Sequence, residues 1–454
     1  MNDENQKEKR KNVIWIFGDQ HRAQALSIHN DPNVNTPNID NLAVSGVDFP
    51  NAIAGYPLCC PARGSILTSK YPHKCVPGHE HQLPQDQPTI AHVFNENGYD
   101  TAYFGKWHLD GFQEKEGRAA KHYIPIERRG GFKKWLGYEN NNSQWDCWVH
   151  GKVNEEVEPY RLPGYETDEL TNLFIQYIQD KGKEKQNEKG SPFFAVLSVQ
   201  PPHDPYIAPE EFRQGHSPSH ISLRSNVPSV PRIEEKARQD LSGYYAMIEN
   251  LDWNLGRIQA ALQECDLSFD THIVFFSDHG DLHGSQGQFK KTSPYEEAIR
   301  VPFIIGGEQS FYDGRKTGAS SVLLNHVDIA PTTLGLCDIE KPEWMDGKDY
   351  SPYRLQNNKE QIEPDSAYIQ SVIPTGHGDS VDKPWRGIVT KDGWKYVCFE
   401  KITWLMFNLN EDPFEQVNLA HNTLYFKKRK ELNDRLKLWI EDTEDVFILP
   451  IYDE

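Results

Sequence analysis

An α/β fold, with a large mixed sheet flanked by helices and a smaller C-terminal α+β subdomain, is predicted by three features of the sequence. Short apolar runs rich in β-branched and aromatic residues stop abruptly at polar residues or glycine; helix-like patterns lie between them; and the texture changes after about residue 345. The first run, residues 13–17, is followed by Asp19 and Gln20. The second, 101–104, leads to Lys106 and His108, and the third, 193–199, to His203. The fourth, 272–276, precedes Asp278 and His279, and a fifth covers 301–305. Runs that are apolar throughout read as strands buried on both faces of a parallel or mixed sheet. The clearest helix spans 244–262, where Tyr244, Ile248, Leu251, Leu255, Ile258 and Leu262 recur at spacings of three and four. Ligand crevices of open α/β sheets lie outside the carboxyl ends of the strands, so four segments are expected to bring polar residues to one edge.

The C-terminal part reads differently. Residues 387–390, 395–399 and 404–408 suggest two or three antiparallel strands with a turn at Lys391, Asp392 and Gly393. A turn at 410–413 and a helix over 426–439, with Leu432, Leu436 and Trp439 on its apolar side, complete the pattern. The expected division is an α/β domain over 11–360 and an α+β subdomain over 361–454.

Composition bounds the partners. The 454 residues, 37% of them hydrophobic, suffice for a full core. Forty-eight Lys and Arg against 67 Asp and Glu give a net charge of −19, which opposes binding to nucleic acid or to anionic membrane surfaces. Residues 1–11 carry no apolar leader segment, and the longest apolar runs are of strand length, so neither secretion nor a membrane span is expected. Seven cysteines without a CxxC pair suggest neither a disulfide framework nor a zinc cluster, and a cytoplasmic location is expected.

The most informative segment is CCPARGSILTS at 59–69, a plausible helix start. With it come NVIWIFGDQ (12–20), NTPNIDNL (35–42), GYDTAYFGKWHL (98–109), PPH (201–203) and SDHGD (277–281). Lys291, YEEAIRVP (295–302), VDIAP (327–331) and NLNEDPFEQ (408–416) follow in order. These segments resemble, over nearly the whole chain, the type I sulfatases of the alkaline-phosphatase superfamily. The C-x-P-x-R signature of that family places the modified cysteine at Cys59, since Pro61 and Arg63 fall one place too early from Cys60. Ala62 stands where many members carry Ser, and Ser69 where many carry Gly.

The resemblance implies an alkaline-phosphatase-like sheet and a site whose roles follow residue by residue. Cys59, oxidised by a maturase to Cα-formylglycine, would supply as its hydrate the nucleophile for sulfur. Asp19, Gln20, Asp278 and His279 would hold one divalent cation. Their oxygens suit Ca²⁺ or Mg²⁺, and the Gln and His leave Mn²⁺ open. Arg63 would hold the hydrate, Lys106 and Lys291 would grip the sulfuryl oxygens, His203 would protonate the leaving alcohol, and His108 would act as base for sulfate release. Lys290 is a near-equal neighbour of Lys291, preferred less because the distance from Lys291 to Tyr295 fits the family pattern.

Residues 121–150 locally reverse the overall charge, with Arg128, Arg129, Lys133 and Lys134 interleaved with Trp135, Tyr138, Trp145 and Trp148. They read as a substrate-binding insertion in which Trp145 and His150 meet a sulfated sugar, with His377, Trp385 and Arg386 closing the pocket from the other side. His21, His79 and His81 lie near these motifs without an assigned role. The leading expectation is a sulfuric ester hydrolase acting on a sulfated carbohydrate or small ester. The alternatives are a phosphodiesterase or phosphonate monoester hydrolase of the same superfamily, and a non-catalytic protein that binds sulfated glycans.

Overall fold

In the computed structural model, which describes residues 10–307, 316–356, 359–376 and 381–452, the expected strand runs pair side by side. The large sheet contains β1 (Asn12–Gly18), β2 (Val47–Asp48), β3 (Asp100–Lys106), β4 (Lys134–Tyr138) and β5 (Trp148–Lys152). It continues with β6 (Glu156–Arg161), β7 (Phe193–Val199), β8 (Thr271–Ser277), β9 (Phe303–Gly306) and β10 (Gly318–Ala319). The order is β10-β2-β9-β8-β1-β7-β3-β4-β5-β6. At its centre β8, β1, β7, β3 and β4 are parallel, while β9 and the β5–β6 ribbon run antiparallel on either side.

Alternation along β1 explains why its whole run is apolar. Val13, Trp15 and Phe17 face one layer with Phe194, Val196, Val274 and Phe276, and the Trp15 ring meets Phe194 and Phe276 edge-on at 4.9 and 5.5 Å. Ile14 and Ile16 face the other layer, against Phe174, Ile178, Leu251, Leu255 and Ile258. Those partners come from two long helices, α1 (Glu166–Gln186) and α2 (Pro231–Glu264). Burying each such side chain contributes roughly 1.5–3 kcal/mol, so both faces of β1 anchor the strand. The helix foreseen at 244–262 begins thirteen residues earlier, at Pro231, because proline is tolerated in the first turn and the early, polar turns lie on the surface.

A second sheet forms from β11 (Ser366–Ser371), β12 (Trp385–Thr390), β13 (Trp394–Phe399) and β14 (Ile402–Asn408), antiparallel throughout. Its helix, α3 (Phe426–Asp442), packs Leu432, Leu436 and Ile440 on Tyr368, Ile388, Tyr396 and Met406. The opposite face reaches the large domain through Lys395, whose Nζ lies 2.6 Å from Glu296 and 2.5 Å from Glu415.

Six of these strands are absent from the sequence reading, β2 and β10 because each is only two residues long. β11 was hidden by its mixed composition, and β4, β5 and β6 lie in or just beyond the stretch 121–150, read as a substrate insertion. The structure corrects the reading for that stretch: β4 and β5 extend the main sheet, and Trp135 and Tyr138 are buried in the core. Among the described residues no helix is long and apolar enough to cross a membrane.

Candidate active site

Because β1, β3, β7 and β8 are parallel neighbours, the residues following them emerge at one edge, as expected. Cys59 is delivered from the other side, as the first residue of a helix, Cys59–Thr68, in which every residue is buried. Cys59 is thus the helix start itself. Ser69 caps the helix at φ 54°, in the left-handed region that favours glycine, and its hydroxyl compensates by donating to the Val327 carbonyl at 2.5 Å.

The Cys59 thiol lies 3.1 Å from His279 Nε2, 3.5 Å from Asp19 Oδ1 and 3.1 Å from Lys291 Nζ. Lys291 also donates to Gln20 Oε1 at 3.0 Å and to His203 Nε2 at 2.9 Å. Lys106 pairs with Asp19 Oδ2 at 2.7 Å. Arg63 spans the two carboxylates, with Nε 3.1 Å from Asp278 Oδ2 and Nη2 3.2 Å from Asp19 Oδ2. Its Nη1 donates to the Lys106 carbonyl and to Ser198 Oγ, both at 2.9 Å. The fork therefore directs its N–H groups to protein oxygens, and a lysine could not reproduce that geometry.

Burial dominates the electrostatics. Burial raises the Asp19 carboxyl, but the permanent cations, Lys106 first and then Lys291 and Arg63, outweigh it and hold Asp19 well below the ordinary range. Burial, then Asp19, pushes Asp278 up to about 6. His203 is lowered to about 3 by burial and then by Lys291, and burial followed by Lys106 holds His108 well below its usual value. Both imidazoles are therefore neutral near pH 7. Since an ammonium can only donate, His203 Nε2 accepts from Lys291, while its Nδ1 faces the Asp204 carbonyl at 2.7 Å.

The donor set fits a divalent cation. One ligand atom each from Asp19, Cys59, Asp278 and His279 lies within 4.8 Å of the others. The His279 Nδ1 hydrogen is used on the Gly280 carbonyl at 2.9 Å, which turns the Nε2 lone pair toward the carboxylates. Gln20 Oε1 meets the same Lys291 that meets Cys59, so it faces this cluster; its backbone N–H donates to Asp278 Oδ1 at 3.0 Å. Gln20, His108, Lys290 and Thr292 all have positive φ, between 57° and 73°. Such strained non-glycine backbone concentrates where a fold over-determines a functional geometry.

The residues expected to bind substrate divide. Trp145 is exposed, and its neighbour Gln144 donates to the His203 carbonyl at 2.8 Å, so it stands beside the site. His150 does not: it is buried under Tyr123, and its Nε2 accepts the Ile124 N–H at 3.1 Å. Arg386 is likewise a structural residue and does not close the substrate pocket as expected. It pairs with Asp445, donates to the Ser371 carbonyl at 2.7 Å and stacks on Phe447. Trp385 touches the site only from behind, donating to the Thr292 carbonyl at 3.0 Å. His377 lies outside the described residues. Lys290 turns away from the cluster to Asp204, 2.6 Å distant.

Two groups escaped the sequence reading. Asp281 accepts from Tyr206 at 2.6 Å and from the Gln20 amide, fixing which end of that amide faces Lys291. Glu139 accepts the N–H groups of Leu109, Asp110 and Gly111 and so holds the chain directly after His108. Asp281 stood inside the SDHGD motif and could have been noticed; Glu139 had no local signal.

A buried cysteine flanked by two carboxylates, three cations and neutral imidazoles is an arrangement suited to hydrolysing an anionic ester. The sulfatase family model matches residues 11–339, and the model for the C-terminal region of N-sulphoglucosamine sulphohydrolase matches 284–442. An ulvan-active sulfatase of Formosa agariphila is 33% identical over 96% of this chain and 82% of its own length. An endo-4-O-sulfatase of Bacteroides thetaiotaomicron is 28% identical over 90% of this chain and 87% of its own. The solved yidJ protein of Bacteroides fragilis superimposes with a TM-score of 0.85 at 28% identity, covering 97% of each chain. The chain belongs to the sulfatase family of the alkaline-phosphatase superfamily, and it is a sulfatase.

Proposed function

We propose that this sulfatase removes O-sulfate from a carbohydrate, using Cys59 matured to formylglycine by a separate maturase and one divalent cation held by Asp19, Gln20, Asp278 and His279. The observation that carries the reading is the convergence of His279, Asp19 and Lys291 on the Cys59 Sγ within 3.1–3.5 Å. The donor set, with its three carboxylate and amide side chains, favours Ca²⁺. The ulvan-active and endo-4-O-sulfatase relatives support a carbohydrate substrate.

The hydrate formed from Cys59 would supply the attacking oxygen, and the cation held by Asp19, Gln20, Asp278 and His279 would supply Lewis-acid charge at the sulfuryl group. Arg63 keeps Asp19 and Asp278 in register for that cation. Lys106 and Lys291 add positive charge where the sulfuryl group sits, in a site from which water is largely excluded. His203, whose Nε2 accepts from Lys291, passes a proton drawn from solvent to the leaving alkoxide, while Lys291 keeps its charge. His108, neutral and buried, takes the proton whose removal lets sulfate depart. Exposed Trp145 offers a ring face to the sugar at the mouth.

Substrate release tests this directly. Protein made with a maturase is expected to liberate sulfate from sulfated saccharides, and Cys59→Ala to abolish release. Faster turnover of an aryl phosphonate diester than of any sulfate ester would overturn the reading in favour of a phosphonate hydrolase.

A further inference from the structure

A second cluster with metal-ligand character adjoins the site and shares no residue with the first. Cys60, His79 and His108 each place one ligand atom within 4.8 Å of the other two. Cys60 follows Cys59 on the same helix, His108 follows β3, and His79 comes from the loop between them. The two rings stand 5.6 Å apart and nearly perpendicular. Cys60 and His108 are buried, and His79 is partly exposed, which opens a path from solvent. His108 Nδ1 is buried with no hydrogen-bond partner among the described residues. Such an orphan costs free energy unless something occupies it. Glu80 Oε1 lies 3.8 Å from His79 Nε2, in reach to orient that ring as carboxylates orient metal-bound imidazoles.

The chemistry of the two clusters differs. Asp19, Asp278 and Gln20 offer oxygens, whereas one thiol and two imidazoles select a softer ion. A tetrahedral zinc with Zn–N near 2.0–2.1 Å and Zn–S near 2.3 Å needs ligand atoms about 3.5 Å apart, which modest side-chain rotation would achieve. We propose that Cys60, His79 and His108 form a zinc-binding site next to the catalytic centre, and that Zn²⁺ bound there inhibits the enzyme by occupying the His108 imidazole. Binding releases the Cys60 thiol proton to solvent and leaves the fourth position for water. The binding claim stands on geometry alone; the inhibition claim rests on His108 acting as base.

Two arms test it. In Cys59→Ser protein, which lacks the neighbouring thiol, Co²⁺ is titrated as a spectroscopic stand-in for Zn²⁺ with Ca²⁺ in excess. A thiolate-to-cobalt charge-transfer absorption is expected at one equivalent, and it should vanish on adding Cys60→Ser. Absence of that absorption, or its survival in Cys60→Ser, overturns the site. In matured enzyme with excess Ca²⁺, Zn²⁺ should inhibit. Cys60→Ser and His79→Gln should keep the metal-free rate and raise the inhibitory concentration about tenfold or more, the loss that even an outer-sphere partner produces. Equal inhibition of wild type and both variants overturns the proposal. Should Cys60→Ser fold poorly, His79→Gln, at a partly exposed position, carries the same test. Cobalt absorption without zinc inhibition would overturn the inhibitory claim and the role of His108 while leaving the metal site in place.

Discussion

Arg63 shows how one side chain sets a whole site. Its guanidinium is almost fully buried and has four acceptors: Asp19, Asp278, the Lys106 carbonyl and Ser198 Oγ. Burial opposes the charge on Arg63, but Asp278 and Asp19 more than restore it, so the cation is permanent. Arg63→Lys keeps a charge and loses the fork. We expect kcat/KM to fall by about 10² or more, with KM for substrate changing less than kcat, because the misplaced carboxylates act in the transition state. Steady-state kinetics against a sulfate ester would check this, and an unchanged kcat would refute it. At this scale the sequence was informative: Cys59, Arg63, Lys106, His203, Lys291 and Asp278 could be chosen because motif spacing is local. His150 and Arg386 misled because a basic residue near aromatics looks alike whether it faces a sugar or a core. Only the Ile124 N–H and Asp445 distinguish the cases.

The strand-to-loop junctions carry the next level. The chain after β3 must turn back with His108 at φ 57°, and Glu139, at the end of β4, receives three backbone N–H groups from the residues that follow. Burial raises Glu139 from 4.5 to about 7 despite those hydrogen bonds. Between these values the folded chain holds a proton that the unfolded chain has lost, so stability falls as pH rises across that window. Glu139→Gln removes this dependence. Denaturant unfolding from pH 4.5 to 7 should show wild type losing up to about 3 kcal/mol relative to the variant. Parallel slopes would contradict the assignment. The five buried runs were legible as strands because both faces of each are covered. β6, whose residues are mostly exposed, and β11 lacked that continuous signal, so pairing partners far along the chain decide them.

At the scale of the molecule, the C-terminal sheet acts as a brace for the catalytic edge. Trp385 donates to the Thr292 carbonyl, and Lys395 pairs with Glu296 and Glu415, so the strands fix the segment that presents Lys291. Arg386 and Asp445 fasten the same sheet to the chain beyond α3. Arg386→Ala removes the guanidinium from Asp445, whose remaining bonds to Tyr368 and the Val446 N–H do not replace the charge, and should cost about 3 kcal/mol in unfolding experiments. KM below the melting transition should stay unchanged; a raised KM with unaltered stability would restore Arg386 as a substrate residue. The net charge of −19 takes its place here too. The surface repels anions in general, while Arg63, Lys106 and Lys291, joined by the proposed cation, would make one buried edge attractive to a single sulfate.

The central claim, that Cys59 becomes the nucleophile of a sulfatase, is tested most directly by sulfate released from a sulfated saccharide per mole of Cys59 converted. Conversion is read from the loss of mass in the Cys59 peptide. The account predicts release in proportion to the converted fraction, and none from unconverted protein. Equal turnover by protein whose Cys59 remains a thiol would contradict it.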